Sequence, residues 1–133
     1  MSVWCNACGR LSQDDEFCDH CNADLGKTST GLQPNVAGLL AYALGLVTGV
    51  LFLLLEKDNK FVKFHAVQSI VFSVTLALLS LVAEFTPLVA PLARAIVQLA
   101  GVVGWIVLMV QAFQGKWYKL PILGDIAAKQ AGV

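Results

Sequence analysis

The sequence predicts an all-α membrane protein, a bundle of three transmembrane helices that follows a small cysteine-rich module at the N-terminus. The first observation is composition: the 133 residues are 57% hydrophobic and only 14% charged, with a mean hydropathy of +0.71. A water-soluble domain of this length could not bury so much apolar surface. The second is that three uncharged runs are each long enough to cross a bilayer. The third is that all four cysteines lie within the first 21 residues.

Charge divides the chain into an acidic part and a basic part. Residues 1–26 carry five acids and one base, whereas residues 27–133 carry four acids and eight bases. The total is balanced at nine of each, so no attraction to nucleic acid is expected. These shifts predict a cysteine module at 1–26, a linker at 27–35 that contains Gly31 and Pro34, and a transmembrane domain at 36–133.

The cysteine spacing is typical of a metal site. Cys5 and Cys8 form one CxxC pair, and after nine intervening residues Cys18 and Cys21 form another. Two such turns place four thiolates in a tetrahedral shell that suits Zn2+. So short a module cannot build a hydrophobic core, and metal binding would supply most of its folding free energy. The module resembles the short zinc ribbons at the N-termini of many bacterial and archaeal membrane proteins, which implies one structural Zn2+ per chain.

Other chemistries of the module remain open. In an oxidising compartment the same cysteines could form two disulfides, and His20, inside the second CxxC, could replace a cysteine as a ligand. Four thiolates close the coordination shell, which predicts a structural and not a catalytic metal. Since no Ser/His/Asp set, carboxylate pair or phosphate loop is evident, we expect neither an enzyme nor a small-molecule substrate.

The three uncharged runs predict the membrane helices, at 36–55, 66–83 and 95–113. The first would be about 30 Å long as a helix, which matches the hydrocarbon core. Small residues mark helix contacts in a membrane, because they let two backbones approach closely. The GxxxG of Gly45 and Gly49 is therefore predicted to pack the first helix against its neighbours.

Lysines and aromatic residues flank these runs, as interfacial anchors do. Two groups are candidates for contact with lipid headgroups or a partner protein. They are Lys63, His65 and Gln68 in and after the first loop, and Trp117 and Tyr118 after the third run. For the first group we favour the alternative, an anchor at the start of the second helix in which Gln68 bonds to a neighbouring helix.

The lysine count predicts the orientation in a cytoplasmic membrane. Three crossings place the 56–65 loop and the C-terminus on one side, with six lysines against Lys27 and Arg94 opposite, so both segments are predicted to be cytoplasmic. The zinc ribbon would then lie outside, where thiolates are exposed to oxidation. A re-entrant first segment that bends at Gly45 or Gly49 would remove this conflict, and the sequence leaves the choice open. The six lysines are Lys57, Lys60, Lys63, Lys116, Lys119 and Lys129.

Residues 61–69, FVKFHAVQS, resemble a family of small prokaryotic membrane proteins of unknown function. That family is distantly related to the channel subunit of the chloroplast inner-envelope protein-import translocon. The resemblance extends from about residue 42 to residue 127 and includes LLEKDNK at 54–60 and GKWYKLPILGD at 115–125. It implies a helical bundle in the cytoplasmic membrane and supplies no catalytic residues.

Two functions follow from these observations. The favoured one is a non-enzymatic integral membrane subunit or scaffold, which assembles with itself or with other membrane proteins and uses the zinc ribbon for docking or capping. The alternative is a channel or translocation subunit, as the distant resemblance implies. Three helices are too few to enclose an aqueous pore, so the alternative requires oligomers or partners.

Overall fold

Helices dominate the structure, a computed structural model that describes residues 3–5, 8–13, 18, 20–21, 28–57 and 59–132. Within these residues, two short strands pair antiparallel near the N-terminus, with Val3 opposite Ser12. Five helices follow, and α3 is the helix against which α1, α2, α4 and α5 all pack. The elements are β1 (Val3–Trp4), β2 (Leu11–Ser12), α1 (Pro34–Ala43), α2 (Leu46–Leu55), α3 (Lys60–Glu84), α4 (Ala90–Phe113) and α5 (Leu123–Ala131).

Two of these helices, not three, are long and apolar enough to cross a membrane. They are α3, with 25 residues, and α4, with 24, and at 1.5 Å per residue each exceeds a hydrocarbon core of about 30 Å. The expected runs 66–83 and 95–113 lie inside them. The expected first span, 36–55, consists instead of α1 and α2, with 10 residues each. The prediction of three spanning helices is therefore wrong.

The first apolar run breaks at Gly45, between α1 and α2. Gly45 has φ 60° and ψ −115°, a backbone conformation that residues with a side chain rarely adopt. The chain reverses there, so that α1 and α2 form a helical hairpin. Gly49, the second glycine of the GxxxG, stays helical and lies against α3, where an added Cβ would stand 2.9 Å from Ile70 Cγ1.

The hydrophobic core lies between this hairpin and the first turns of α3. Ala37 and Ala41 of α1 pack with Phe52 of α2, and Phe61 and Val62 of α3 complete the cluster. Because α1 contributes alanines, its backbone approaches α3 closely.

The C-terminal helix folds back along α3. Alanines at positions 127, 128 and 131 of α5 pack against Phe64 and Val67. The turn before α5 is tight: a Cβ added at Gly124 would stand 2.6 Å from Lys119 Cα. At its end, Lys60 donates from Nζ to the carbonyl oxygen of Gly132 (3.4 Å). The end of α5 therefore lies beside the start of α3.

The two ends of the molecule differ in what they contain. At one end, Asn35 of α1 donates from Nδ2 to the carbonyl oxygen of Phe113 at the end of α4 (3.2 Å). There too, the linker residue Ser29 contacts Glu56 in the α2–α3 loop. The opposite end consists of the short turn between α3 and α4. The linker, the α2–α3 loop and the C-terminal segment therefore share one end.

Candidate metal centre and buried polar cluster

The strand pair positions the first two cysteines. Cys5 follows β1, and its backbone N–H donates to the carbonyl oxygen of Arg10 (2.8 Å), while the N–H of Gly9 donates to the carbonyl oxygen of Cys5 (2.9 Å). Gly9 has φ +68°, the positive value expected of a residue that follows a CxxC pair. Asn22, the residue at the equivalent position after the second pair, lies outside the described residues.

The four cysteines converge on one point. The Sγ atoms of Cys5 and Cys21 are 3.5 Å apart, as are those of Cys8 and Cys18, and all four lie within 4.8 Å of one another. A tetrahedral site with Zn–S bonds of about 2.3 Å has S···S edges of about 3.8 Å. No disulfide joins the four cysteines, and they could hold one metal ion. The exposed His20 lies beside them in the second turn.

The pKa values of Cys8 and Cys18, whose sulfur atoms are in contact, shift in opposite directions. Desolvation, together with hydrogen bonds to the other three thiols, raises the pKa of Cys8 to about 12. Burial also raises the pKa of Cys18, but hydrogen bonds from the backbone N–H groups of His20 and Cys21, together with those from two neighbouring thiols, outweigh burial, so that its pKa falls to about 6. One sulfur therefore carries the negative charge readily, and a bound cation would stabilise the thiolate form of the others.

A second cluster of polar side chains is buried where the hairpin meets α3. Tyr42, His65 and Gln68 are each 0% exposed. The hydroxyl of Tyr42 lies 3.0 Å from His65 Nδ1, and Gln68 donates from Nε2 to the same hydroxyl oxygen (3.1 Å). His65 Nε2 lies 3.2 Å from the carbonyl oxygen of Lys116, and Gln68 Nε2 donates to that of Tyr118 (3.0 Å).

These partners assign the proton positions. A carbonyl oxygen only accepts, so His65 must carry its proton on Nε2 and donate to Lys116. In a neutral imidazole Nδ1 is then an acceptor, so Tyr42 donates to it, and the Tyr42 oxygen accepts from Gln68. The cluster joins three parts of the fold, namely α1, α3 and the segment after α4. Its role in this geometry is to hold that C-terminal segment against the hairpin.

The structure separates the five residues that the sequence assigned to lipid or partner contact. His65 and Gln68 are in the interior, and Trp117 is half-buried beside Phe61, with ring centroids 5.2 Å apart. Lys63 donates from Nζ to the carbonyl oxygen of Lys57, and Tyr118 is exposed. Lipid or partner contact by these residues stays a prediction.

Sequence reasoning missed three polar residues that shape the site. In the sequence, nothing distinguishes Tyr42 except that it is the one tyrosine of the first apolar run. Trp105 donates from Nε1 to the carbonyl oxygen of Tyr42 (2.6 Å). Glu56, in the charged loop, is 1% exposed, and nothing in the local pattern marks it as buried.

Comparison with known proteins finds membrane proteins of one family. A membrane protein of Methanocaldococcus jannaschii, named for the UPF0132 family, is 50% identical over 103 residues, 77% of this chain and 93% of its own length. One from Archaeoglobus fulgidus, also a UPF0132 membrane protein, is 44% identical over 101 residues, 76% of this chain and 98% of its own length. No solved structure matches the chain.

These relatives confirm the expected kinship with small prokaryotic membrane proteins, and together with α3 and α4 they support a membrane protein. Their names give no support to the expected relationship with the import translocon. The profile of the magnetosome magnetite crystal formation proteins, MamF and MmsF, matches residues 29–127. The chain therefore belongs to the MamF/MmsF family of membrane proteins.

Proposed function

We propose that this chain is a non-enzymatic integral membrane subunit or scaffold that assembles with itself or with other membrane proteins. Its cysteine module, loaded with one Zn2+, is the part that docks or caps a partner. The observation that carries the proposal is the fixed attachment of the linker after the module to the helical body, through Ser29 and Glu56.

The attachment consists of hydrogen bonds to a buried carboxylate. The backbone N–H of Ser29 donates to both carboxylate oxygens of Glu56 (3.0 Å each), and the Ser29 hydroxyl donates to Oε1 (3.0 Å). The backbone N–H of Asn59 also donates to Oε1 (3.0 Å). A buried carboxylate destabilises a fold unless such donors surround it. The linker is therefore held at one place on the α2–α3 loop, which tethers the module close to this end of the helical body.

The chemistry of the two clusters supports a role without catalysis. Four cysteine thiolates would fill the shell of Zn2+ and leave no position for a substrate or a reactive water. In the second cluster, both ring nitrogens of His65 have partners within the chain. Of the five residues assigned to lipid or partner contact, Lys63, Trp117 and Tyr118 then contact the lipid headgroups, at the end of the molecule that carries the lysines.

Purification from native membranes in mild detergent tests the proposal. We expect an assembly with a fixed stoichiometry, measured by native mass spectrometry, and one zinc per chain. Cys18→Ser, which removes one ligand, should abolish the assembly while the helical content by circular dichroism stays that of the parent. Glu56→Ala should weaken the assembly although zinc stays bound, since only the attachment of the module is lost.

The matched control is Gln130→Ala on the exposed side of α5, which should assemble like the parent. A monomer in all preparations would contradict the proposal. Ion conductance of the pure chain in planar bilayers would favour the channel alternative instead.

A further inference from the structure

The tip of the α1–α2 hairpin lies halfway along the two long helices. Ser69 donates from Oγ to the carbonyl oxygen of Gly45 (3.0 Å), and an added Cβ at Gly45 would stand 2.9 Å from Ser73 Oγ. On the other side, Trp105 of α4 donates to the carbonyl oxygen of Tyr42. The middle residue of α3 (Lys60–Glu84) is Phe72, so these contacts place the tip near the centre of α3.

The lengths agree with a hairpin that enters only half of a bilayer. Glu84 and Arg94 form an ion pair (2.6 Å) at the far end of α3 and α4, and both side chains are about half exposed. Ser73 precedes Glu84 by eleven residues and Trp105 follows Arg94 by eleven, so the tip lies about 16 Å from this ion pair. Each hairpin helix has ten residues and is about 15 Å long, half of a core of about 30 Å.

Backbone groups on both sides of the break at the tip have side-chain partners, which favours a place in the bilayer interior. In hydrocarbon an unpaired N–H or C=O costs several kcal/mol, so non-helical backbone occurs only where protein covers it. The carbonyl oxygens of Tyr42 and Gly45 accept from Trp105 and Ser69. Thr48 completes the tip, since its Oγ1 donates to the carbonyl oxygen of Ala41 (3.1 Å) and accepts from the N–H of Leu44 (3.1 Å).

We infer that the hairpin is re-entrant: it enters and leaves the membrane on the same side, and only α3 and α4 cross. The cysteine module, the α2–α3 loop and α5 then lie together on one side, and the turn between α3 and α4 lies on the other.

The charge count assigns this side of the membrane to the cytoplasm. Of the eight basic residues that the structure describes, seven belong to the shared end or to the module that precedes it, and Arg94 alone is at the opposite end, paired with Glu84. The positive-inside rule then places these seven in the cytoplasm. The module is thereby in a reducing compartment, where thiolates persist. The conflict that three crossings created does not arise.

Two removable epitope tags test which side each terminus occupies. One tag precedes Met1 and the other follows Val133, each joined by the same protease-cleavable linker. We expect protease to remove both tags from inverted inner-membrane vesicles and neither from spheroplasts. Leu88→Cys, in the α3–α4 turn and 95% exposed, should react with an impermeant maleimide on intact cells, above the background of the parent.

Tags removed from opposite sides would show that the first apolar segment crosses, which overturns the inference. Removal of both tags from spheroplasts, or a Leu88→Cys variant that reacts only in inverted vesicles, would overturn the cytoplasmic assignment.

A depth measurement separates a re-entrant hairpin from one that lies on the membrane surface. Val47, beside the tip, and Leu54, near the base, are 66% and 70% exposed. Each is changed to Cys, labelled with a fluorophore and reconstituted with lipids that carry a nitroxide near the headgroup or near the chain end. We expect the chain-end nitroxide to quench Val47→Cys severalfold more than Leu54→Cys, with the order reversed for the headgroup nitroxide. Equal, shallow quenching at both positions would overturn the inference.

Discussion

Removal of the Tyr42 hydroxyl should destabilise the helical body more than its size suggests. Tyr42→Phe deletes one oxygen that makes two hydrogen bonds, to His65 Nδ1 and from Gln68 Nε2. Both partners are 0% exposed, so water cannot replace the lost hydroxyl. An orphaned buried donor or acceptor costs about 1–3 kcal/mol. Gln68 Nε2 keeps its hydrogen bond to the carbonyl oxygen of Tyr118, so the change orphans His65 Nδ1 and one of the two N–H donors of Gln68. We expect the free energy of unfolding to fall by about 2–4 kcal/mol.

Reversible unfolding in mixtures of SDS and a mild detergent, followed by circular dichroism, measures this change. Tyr118→Phe is the matched control, because Tyr118 is 40% exposed and its hydroxyl should contribute less than about 0.5 kcal/mol. A double-mutant cycle with Gln68→Met tests the cause. Since Gln68→Met removes one of the two orphaned groups, the double variant should be more stable than the sum of the single effects predicts.

The protonation of His65 can be measured independently of stability, by nitrogen NMR. In the parent, the 15N spectrum of His65 should show a proton on Nε2 and a hydrogen-bonded Nδ1, and in Tyr42→Phe the Nδ1 signal should shift to that of a free acceptor. If Tyr42→Phe unfolds like Tyr118→Phe and the Nδ1 signal does not move, the described network is not what holds the C-terminal segment.

Three further changes test the packing and the metal site. Gly49→Leu should lower the free energy of unfolding by about 1–3 kcal/mol, measured in the same detergent mixtures, because a Cβ there already meets Ile70 at 2.9 Å. Gly124→Ala should also destabilise the fold, although alanine favours a helix by up to about 1 kcal/mol over glycine, because its Cβ would stand 2.6 Å from the Lys119 backbone. Metal analysis should find one zinc per chain in the parent and less in Cys18→Ser, and acidification should release it, since protons compete for the thiolates.

Controls for these changes lie on the same elements. Val47→Leu, on an exposed position of α2, should leave stability nearly unchanged, and so should Gln130→Ala on α5. Parental stability of Gly49→Leu would show that α2 does not pack on α3 as described. A stabilised Gly124→Ala would contradict the tight turn before α5, and a protein with two disulfides and no metal would exclude the zinc site.

Local patterns in the sequence determined the cysteine site and the positions of the two long helices. The doubled CxxC named Cys5, Cys8, Cys18 and Cys21, which the structure brings together, because a short turn between paired cysteines leaves little freedom in where their sulfurs point. The uncharged runs located α3 and α4 to within a few turns, because apolar length alone decides whether a helix can span lipid. Neither conclusion depends on residues far away in the chain.

The path of the first apolar run is a different case. Twenty uncharged residues satisfy the composition of a spanning helix and of two half-length helices equally well. The break at Gly45 depends on groups that pair with the interrupted backbone: Ser69, which is 24 residues from Gly45, and Trp105, which is 63 residues from Tyr42. No local pattern encodes such partners. Composition therefore predicted an apolar run of membrane-spanning length, and only the tertiary structure decided that it turns back at Gly45, because only there do the carbonyl oxygens of Tyr42 and Gly45 find donors.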